Sequence, residues 1–336
     1  MSRPHILIAR AIAPQVVDFL RQSCEVQDNQ ADIHWSQEAL IAQLQGKDGL
    51  LATGIQPVDA ALLAACPQLK AVANMTVGYN NFDVAALTAA GVQASNTPDV
   101  LTETTADFGF ALLMATARRI TEGEHFLRAG KWQEWQYHML LGTEVHGSTL
   151  GILGMGRIGQ AIARRAAKGF GMRVLYHNRS RLSEALEADC QAQYVDKESL
   201  LRQVDHLVLV LPLTPENYHT IGAAELALLR PSATLINIAR GGIVDEVALV
   251  QALQTGRLAA AGLDVFEGEP QIYPGLLQLP NVVLTPHIAS ATAATRLKMC
   301  QLAADNLLAV LQGKPALTPV NTPDPAAQAQ RFAYKK

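Results

Sequence analysis

Three short segments in the second half of the chain carry the side chains best suited to chemistry. They read Ile236-Asn237-Ile238-Ala239-Arg240-Gly241-Gly242, Gly262-Leu263-Asp264-Val265-Phe266-Glu267-Gly268-Glu269-Pro270 and Thr285-Pro286-His287-Ile288-Ala289-Ser290. In each, the polar residues follow an apolar run of strand length, and strand ends are the usual ligand face of an open α/β sheet. Arg240 offers a planar fork that matches a carboxylate and the carbonyl beside it. His287 is the natural proton donor, because imidazole titrates near neutral pH. A nearby Glu269 would favour the imidazolium and orient the ring. Taken singly, each has a plainer reading. A histidine is more often a surface or core group, an arginine at a strand end can cap a helix, and Asp264 can belong to an ordinary turn. Together they suit reduction of a small 2-keto acid, provided a hydride source lies alongside.

A candidate hydride carrier is written earlier in the chain. Thr149 to Leu153 reads as a strand running straight into Gly154-Met155-Gly156-Arg157-Ile158-Gly159, which opens a helix. A lone GxGxxG is weak, but the strand before it and the helix after it are the context of a dinucleotide fingerprint. Gly154 allows the tight turn, Gly156 lets backbone approach a pyrophosphate, and Gly159 permits close helix–strand packing. The helix N-terminus then faces the phosphates with free N–H groups. A purely structural turn is the plainer alternative.

The end of the next strand bears on which dinucleotide. NAD-binding chains usually carry an acid there for the ribose 2′-hydroxyl. This chain reads Tyr176-His177-Asn178-Arg179-Ser180-Arg181, with no acid. Arg179 can pair with a 2′-phosphate and Ser180 can donate to it, so NADPH (NADP) is the expected cofactor, with NAD left open.

The elements needed to hold these groups are legible as alternating apolar runs and helical stretches. In the first hundred residues, His5 to Ala9, Gly49 to Ala52, Leu69 to Asn74 and Val92 to Ala94 read as strands. Ala13 to Gln22, Ser36 to Leu44 and Val84 to Ala90 read as helices between them. A longer helix is expected from Thr104 to Arg119, with candidate N-caps in Thr102 to Thr105. Six further strands are expected, at Thr149 to Leu153, Arg173 to His177, His206 to Leu211, Thr234 to Ile238, Ala260 to Val265 and Val282 to Thr285. The alternation implies an α/β protein with two doubly wound parallel sheets. About fifty residues follow Thr285, too few for a comfortable domain. The helical stretch Ala293 to Leu311 is therefore expected to return to the first unit. That gives a discontinuous substrate domain at 1–102 and 292–320, an inserted nucleotide domain at 103–291, and a loose tail at 321–336.

At 336 residues and 49% hydrophobic, the chain can bury two cores. A formal charge of −3 gives no case for nucleic acid or a membrane surface as partner. Cys24, Cys66, Cys190 and Cys300 are scattered without a CxxC, so neither a disulfide framework nor a metal site is expected. The N-terminal apolar stretch is too short for a signal peptide, and a cytoplasmic location is the expectation.

The same segments resemble those of the D-isomer-specific 2-hydroxyacid dehydrogenase family. Within it the chain looks like the glyoxylate/hydroxypyruvate reductase branch, which includes 2-ketogluconate reductases. The resemblance runs from Leu69 to about Gly313 and rests on Leu150 to Gly159, Ala239-Arg240-Gly241, Gly262 to Pro270 and Thr285 to Ser290. It implies a Rossmann domain inserted into a flavodoxin-like domain, the two closing over a cleft. It also implies Arg240 as substrate anchor, His287 as proton donor and Glu269 as its partner. Asp264 would meet the nicotinamide carboxamide. Thr105, Arg157, Ile158, Leu211, Pro212, Ile238, Ala239 and Ser290 would line the cofactor. The substrate loop would be Asn74-Met75-Thr76-Val77-Gly78-Tyr79, with the Val77 and Gly78 N–H groups on the carboxylate. A homodimer is implied, with Lys131 to Gly147 as its arm and Trp132, Trp135 or Tyr137 reaching a neighbour. Two rivals remain: a relative acting on phosphite or another small anion, which would have a lysine in the substrate loop, and a nucleotide-sensing binding protein.

Overall fold

The structure is a computed structural model describing residues 3–334. The chain divides into two compact units, one running to Leu101 and resuming at Ala291, the other Thr102–Ser290. Both are α/β.

The first unit holds β1 (His5–Ile8), β2 (Glu25–Asp28), β3 (Gly49–Ala52), β4 (Ala71–Asn74) and β5 (Gln93–Ser95). All pairings are parallel, in the order β2-β1-β3-β4-β5, the flavodoxin-like winding. β3 and β4 are buried at every position, as a parallel sheet covered on both faces requires. The sequence reading lacked β2. Its residues Glu25-Val26-Gln27-Asp28 lie on the sheet edge and none is fully buried, so there is no apolar run to see. The helix Ala293–Leu311 lies against this sheet. Leu307 and Leu311 meet the bare backbone of Gly49, and the Cys300 thiol sits 3.0 Å from the Met75 sulfur.

The second unit holds β6 (Thr149–Leu153), β7 (Arg173–His177), β8 (Ala192–Tyr194), β9 (His206–Leu209), β10 (Thr234–Asn237), β11 (Ala260–Leu263) and β12 (Val282–Leu284). Seven strands, one more than expected, form a parallel sheet in the order β12-β11-β10-β9-β6-β7-β8. The extra strand, β8, is a three-residue edge with one exposed glutamine. Side chains alternate cleanly between faces. Leu207, Leu209, Leu235 and Leu263 pack into one core, and Ile152, Val208, Ile236 and Tyr176 into the other. The winding reverses between β6 and β9, so the ligand crevice of such a sheet lies at the carboxyl ends of these strands. The long helix is Thr102–Ala117, starting earlier than expected, so Thr104 and Thr105 lie in its first turn. Among the described residues no helix is long and apolar enough to cross a membrane.

The loose tail expected from 321 onward is corrected for most of its length. Asn321 pairs with Gln93, Ala94, Thr88 and Val92, and Pro325–Ala333 is a helix capped by Asp324. Arg331 donates to the carbonyl oxygens of Cys66 and Leu69 at 3.0 Å, of Leu63 at 3.3 Å, and of Ala90. One guanidinium thereby satisfies carbonyls that end two helices, a partner not inferable from a proline-rich composition. Lys335 and Lys336 lie outside the described residues. Arg331→Ala is expected to lower stability by about 2 kcal/mol, since hydrogen bonds from a charged group exceed neutral ones. Urea unfolding with unchanged slope would measure it, and a loss below about 0.5 kcal/mol would show the clasp to be idle.

Candidate active site

The cofactor end is built on β6. The chain leaves the strand through Gly154 at φ +100°, where an added Cβ would lie 2.7 Å from the Val210 backbone. At Gly159 it would lie 2.4 Å from the Gly154 oxygen, so the helix Arg157–Phe170 can start this close to the strand only with glycines here. At Gly156 it would meet nothing within 4 Å, so that backbone faces open space, and the helix N-cap has no side chain occupying the first N–H groups. These features fit a pyrophosphate. Nearby positions fit the rest of a dinucleotide. Ile238 and Ala239 are buried at the end of β10, Ile158, Leu211 and Ser290 are partly exposed, and Pro212 and Arg157 are exposed. Thr105 is 5% exposed, and its hydroxyl has no partner among the described residues.

After β7 the two arginines part company. Arg181 is held by Glu187 through bonds of 2.8 and 2.7 Å, and Glu187 also accepts from the Tyr176 hydroxyl at 2.7 Å. These contacts bring the Glu187 carboxyl down to about 2. Arg179 and Ser180 are exposed, and Asn178 donates to the Ser180 carbonyl while accepting from the Met155 N–H. Of these two arginines, Arg181 is held in an ion pair with Glu187 and Arg179 is in none among the described residues.

The chemical end gathers Arg240, Glu269 and His287 in one unit. The Glu269 carboxylate meets His287 Nδ1 at 2.8 Å through Oε2 and accepts the Phe266 N–H at 2.9 Å through Oε1. Burial works against its charge, but the His287 contact, the Phe266 N–H and Arg240 together hold it below the usual carboxylate range. Arg240 donates to the Ala239 carbonyl at 2.7 Å, and among the described residues no carboxylate forms an ion pair with it. Burial lowers the proton affinity of this guanidinium, and the charge of Glu269 opposes that. A partly buried cation with Glu269 nearby but no carboxylate in ion-pair contact among the described residues can receive an anion.

The positioning is local. Asn237 fixes the strand end, accepting from the Ala239 N–H and donating to the Arg240 carbonyl. Gly241 then packs directly on the loop that carries Glu269, where a Cβ would lie 1.9 Å from the Phe266 carbonyl carbon. Asp264 is fully buried and accepts from Thr285 Oγ1 at 2.7 Å and from the Ile288 and Ala289 N–H groups at 2.9 Å. Those bonds over-determine the turn in which His287 takes φ +54°, an uncommon conformation that histidine tolerates better than most residues. Burial also raises the Asp264 carboxyl. Further braces were missed in the sequence. Glu267 is held by the Tyr218 hydroxyl at 2.6 Å and His219 Nε2 at 2.8 Å, and its N–H by Glu246. Their only signal was an acid two residues before Glu269.

Val77 and Gly78 belong to the other unit, in the loop after β4. Neither N–H has an acceptor among the described residues, whereas both carbonyl oxygens do.

A sheet wound about a glycine fingerprint, ending in a histidine–carboxylate pair, defines a nicotinamide-dinucleotide-dependent oxidoreductase acting on a CH–OH group. Residues 110–289 match the family described as D-isomer specific 2-hydroxyacid dehydrogenase, NAD binding domain. A glyoxylate reductase of Thermococcus onnurineus is 47% identical over 323 residues, 95% of this chain and 96% of the relative. That of Pyrococcus furiosus is 44% identical over 323 residues, again 95% and 96%. Among solved structures, an NADPH-dependent glyoxylate/hydroxypyruvate reductase from Sinorhizobium meliloti, in complex with NADP and malonate, aligns with TM-score 0.85 and 38% identity over 95% of this chain and 97% of that one. The chain belongs to the D-isomer specific 2-hydroxyacid dehydrogenase family.

Proposed function

We propose that the chain is an NADPH-preferring reductase of small 2-keto acids, with glyoxylate, hydroxypyruvate and 2-ketogluconate as candidate substrates and D-2-hydroxy acids as products. The observation that carries this is the His287–Glu269 pair at 2.8 Å, with an Arg240 in the same unit that no carboxylate among the described residues holds in an ion pair. The names of the glyoxylate reductases in two archaea and of the Sinorhizobium enzyme support it. A bound reduced nicotinamide supplies the hydride. Arg240 and the Val77 and Gly78 N–H groups bind the carboxylate, and Arg240 also polarises the carbonyl. His287 gives its proton to the carbonyl oxygen as C2 accepts the hydride, and Glu269 stabilises the imidazolium before that transfer. Gly154, Gly156, Arg157, Ile158 and Gly159 hold the pyrophosphate, and Asn178, Arg179 and Ser180 the 2′-phosphate. Thr105, Leu211, Pro212, Ile238, Ala239, Asp264 and Ser290 line the remainder. Trp132, Trp135 and Tyr137, exposed by 53%, 74% and 73%, support a homodimer formed through 131–147.

The test is NADPH oxidation by the purified protein against glyoxylate, hydroxypyruvate, pyruvate and 2-ketogluconate. Turnover with at least one acid, faster with NADPH than NADH, is expected. No turnover across the panel would instead favour a nucleotide-sensing protein.

A further inference from the structure

The substrate loop is held in a way that the fold alone does not demand. In a trans peptide the N–H and C=O point to opposite sides, so pinning a carbonyl aims the N–H that follows it. The Thr76 carbonyl accepts from the Thr97 N–H at 3.0 Å, which fixes the peptide ending in the Val77 N–H. The Val77 carbonyl accepts from Asn96 Nδ2 at 2.7 Å, which fixes the peptide ending in the Gly78 N–H. The Gly78 carbonyl is taken twice, by Thr76 Oγ1 at 2.6 Å and Asn74 Nδ2 at 3.1 Å. Asn74 is wholly buried, and Asn96 is itself fixed by Thr318, whose hydroxyl donates to the Asn96 carbonyl at 2.6 Å. Three successive carbonyls are thus tied inward, and two successive N–H groups have no acceptor among the described residues.

We propose that Asn96 is a positioning residue that pre-aims the Gly78 N–H, next to the Val77 N–H that the Thr97–Thr76 backbone bond fixes, as a carboxylate clamp, and so sets the affinity for the acid end of the substrate. This rests on the assignment of that loop to the substrate carboxylate made above. Asn96 holds only the loop, away from the reacting carbonyl, so the binding it secures is the same in ground and transition states. Its loss therefore raises KM and leaves kcat in place.

Asn96→Ala is expected to raise KM for glyoxylate about tenfold, the scale of one hydrogen bond to a charged group, with kcat and KM for NADPH within about twofold. Asn96→Gln, which keeps a donor, should recover most of the loss. Malonate, which cannot be reduced, gives a readout independent of turnover, by calorimetry on protein saturated with NADP. Its Kd should rise by the same factor in Asn96→Ala. KM and malonate affinity both unchanged in this variant would overturn the clamp, as would a fall in kcat at constant KM. A wild-type chain that reduces no 2-keto acid yet binds malonate, more weakly in Asn96→Ala, would overturn the proposed reaction and support the clamp. One that neither reduces nor binds would overturn both.

Discussion

Replacing His287 by alanine is expected to lower kcat/KM for glyoxylate reduction about a thousandfold while leaving NADPH binding intact, a loss in the range of one positioned general acid. The imidazole is placed by two independent constraints. Glu269 takes its Nδ1, which leaves the opposite ring nitrogen for the substrate, and Asp264 holds the turn on either side of the left-handed backbone. Removing the ring removes the proton donor without disturbing the glycine turn at Gly154 to Gly159. Glu269→Gln should act through the same ring but more mildly, by about ten- to a hundredfold, because the amide still orients the imidazole yet no longer offsets its charge. The Glu269 carboxyl lies below its ordinary range despite its burial, so its contribution is present at neutral pH and is lost only as pH falls through that lowered value. Rates across pH with saturating NADPH, in the wild type and in Glu269→Gln, would measure that loss. Near-normal turnover in His287→Ala would remove it from the role.

The residue types that do chemistry were legible in the sequence, and the reasons they meet were not. Arg240, Glu269 and His287 stand out because each is a functional side chain at the end of an apolar run. What brings the first two together is the contact of Gly241 with the Phe266 backbone, a fit that leaves no trace beyond a common dipeptide. Asp264 read equally well as a turn residue or a cofactor ligand. Three of its bonds go to the 285–289 turn, so at least part of its role is to shape the chain around His287. The strands that escaped notice, β2 and β8, are edges, where one side of the ladder is free and burial no longer enforces a hydrophobic pattern. The terminal helix escaped for a different reason. Its anchor is Arg331 reaching helix-end carbonyls far away in sequence, and long-range backbone acceptors have no signature in composition.

The second large effect concerns cofactor choice. Arg179→Asp, combined with Ser180→Ala, is expected to swing the ratio of kcat/KM with NADPH to that with NADH by roughly a thousandfold toward NADH. Two changes of opposite sign add. Loss of a charge-assisted pair with the 2′-phosphate costs NADPH about 1.5–3 kcal/mol, and the new carboxylate repels that phosphate further. For NADH the same carboxylate supplies the acceptor that a ribose 2′-hydroxyl uses at the end of the second strand of this sheet. The wild-type structure limits where such a swing can arise. Arg181, the other cation of the segment, is committed to Glu187, which is also tied to Tyr176, so it cannot readily substitute for Arg179. Arg181→Ala should accordingly leave the ratio within about threefold while loosening the helix Glu184–Cys190. Initial rates with both cofactors at fixed, saturating 2-keto acid separate the two variants. If Arg181→Ala moved the ratio as far as Arg179→Asp, the phosphate would be read by the whole segment, and the assignment to Arg179 would fall.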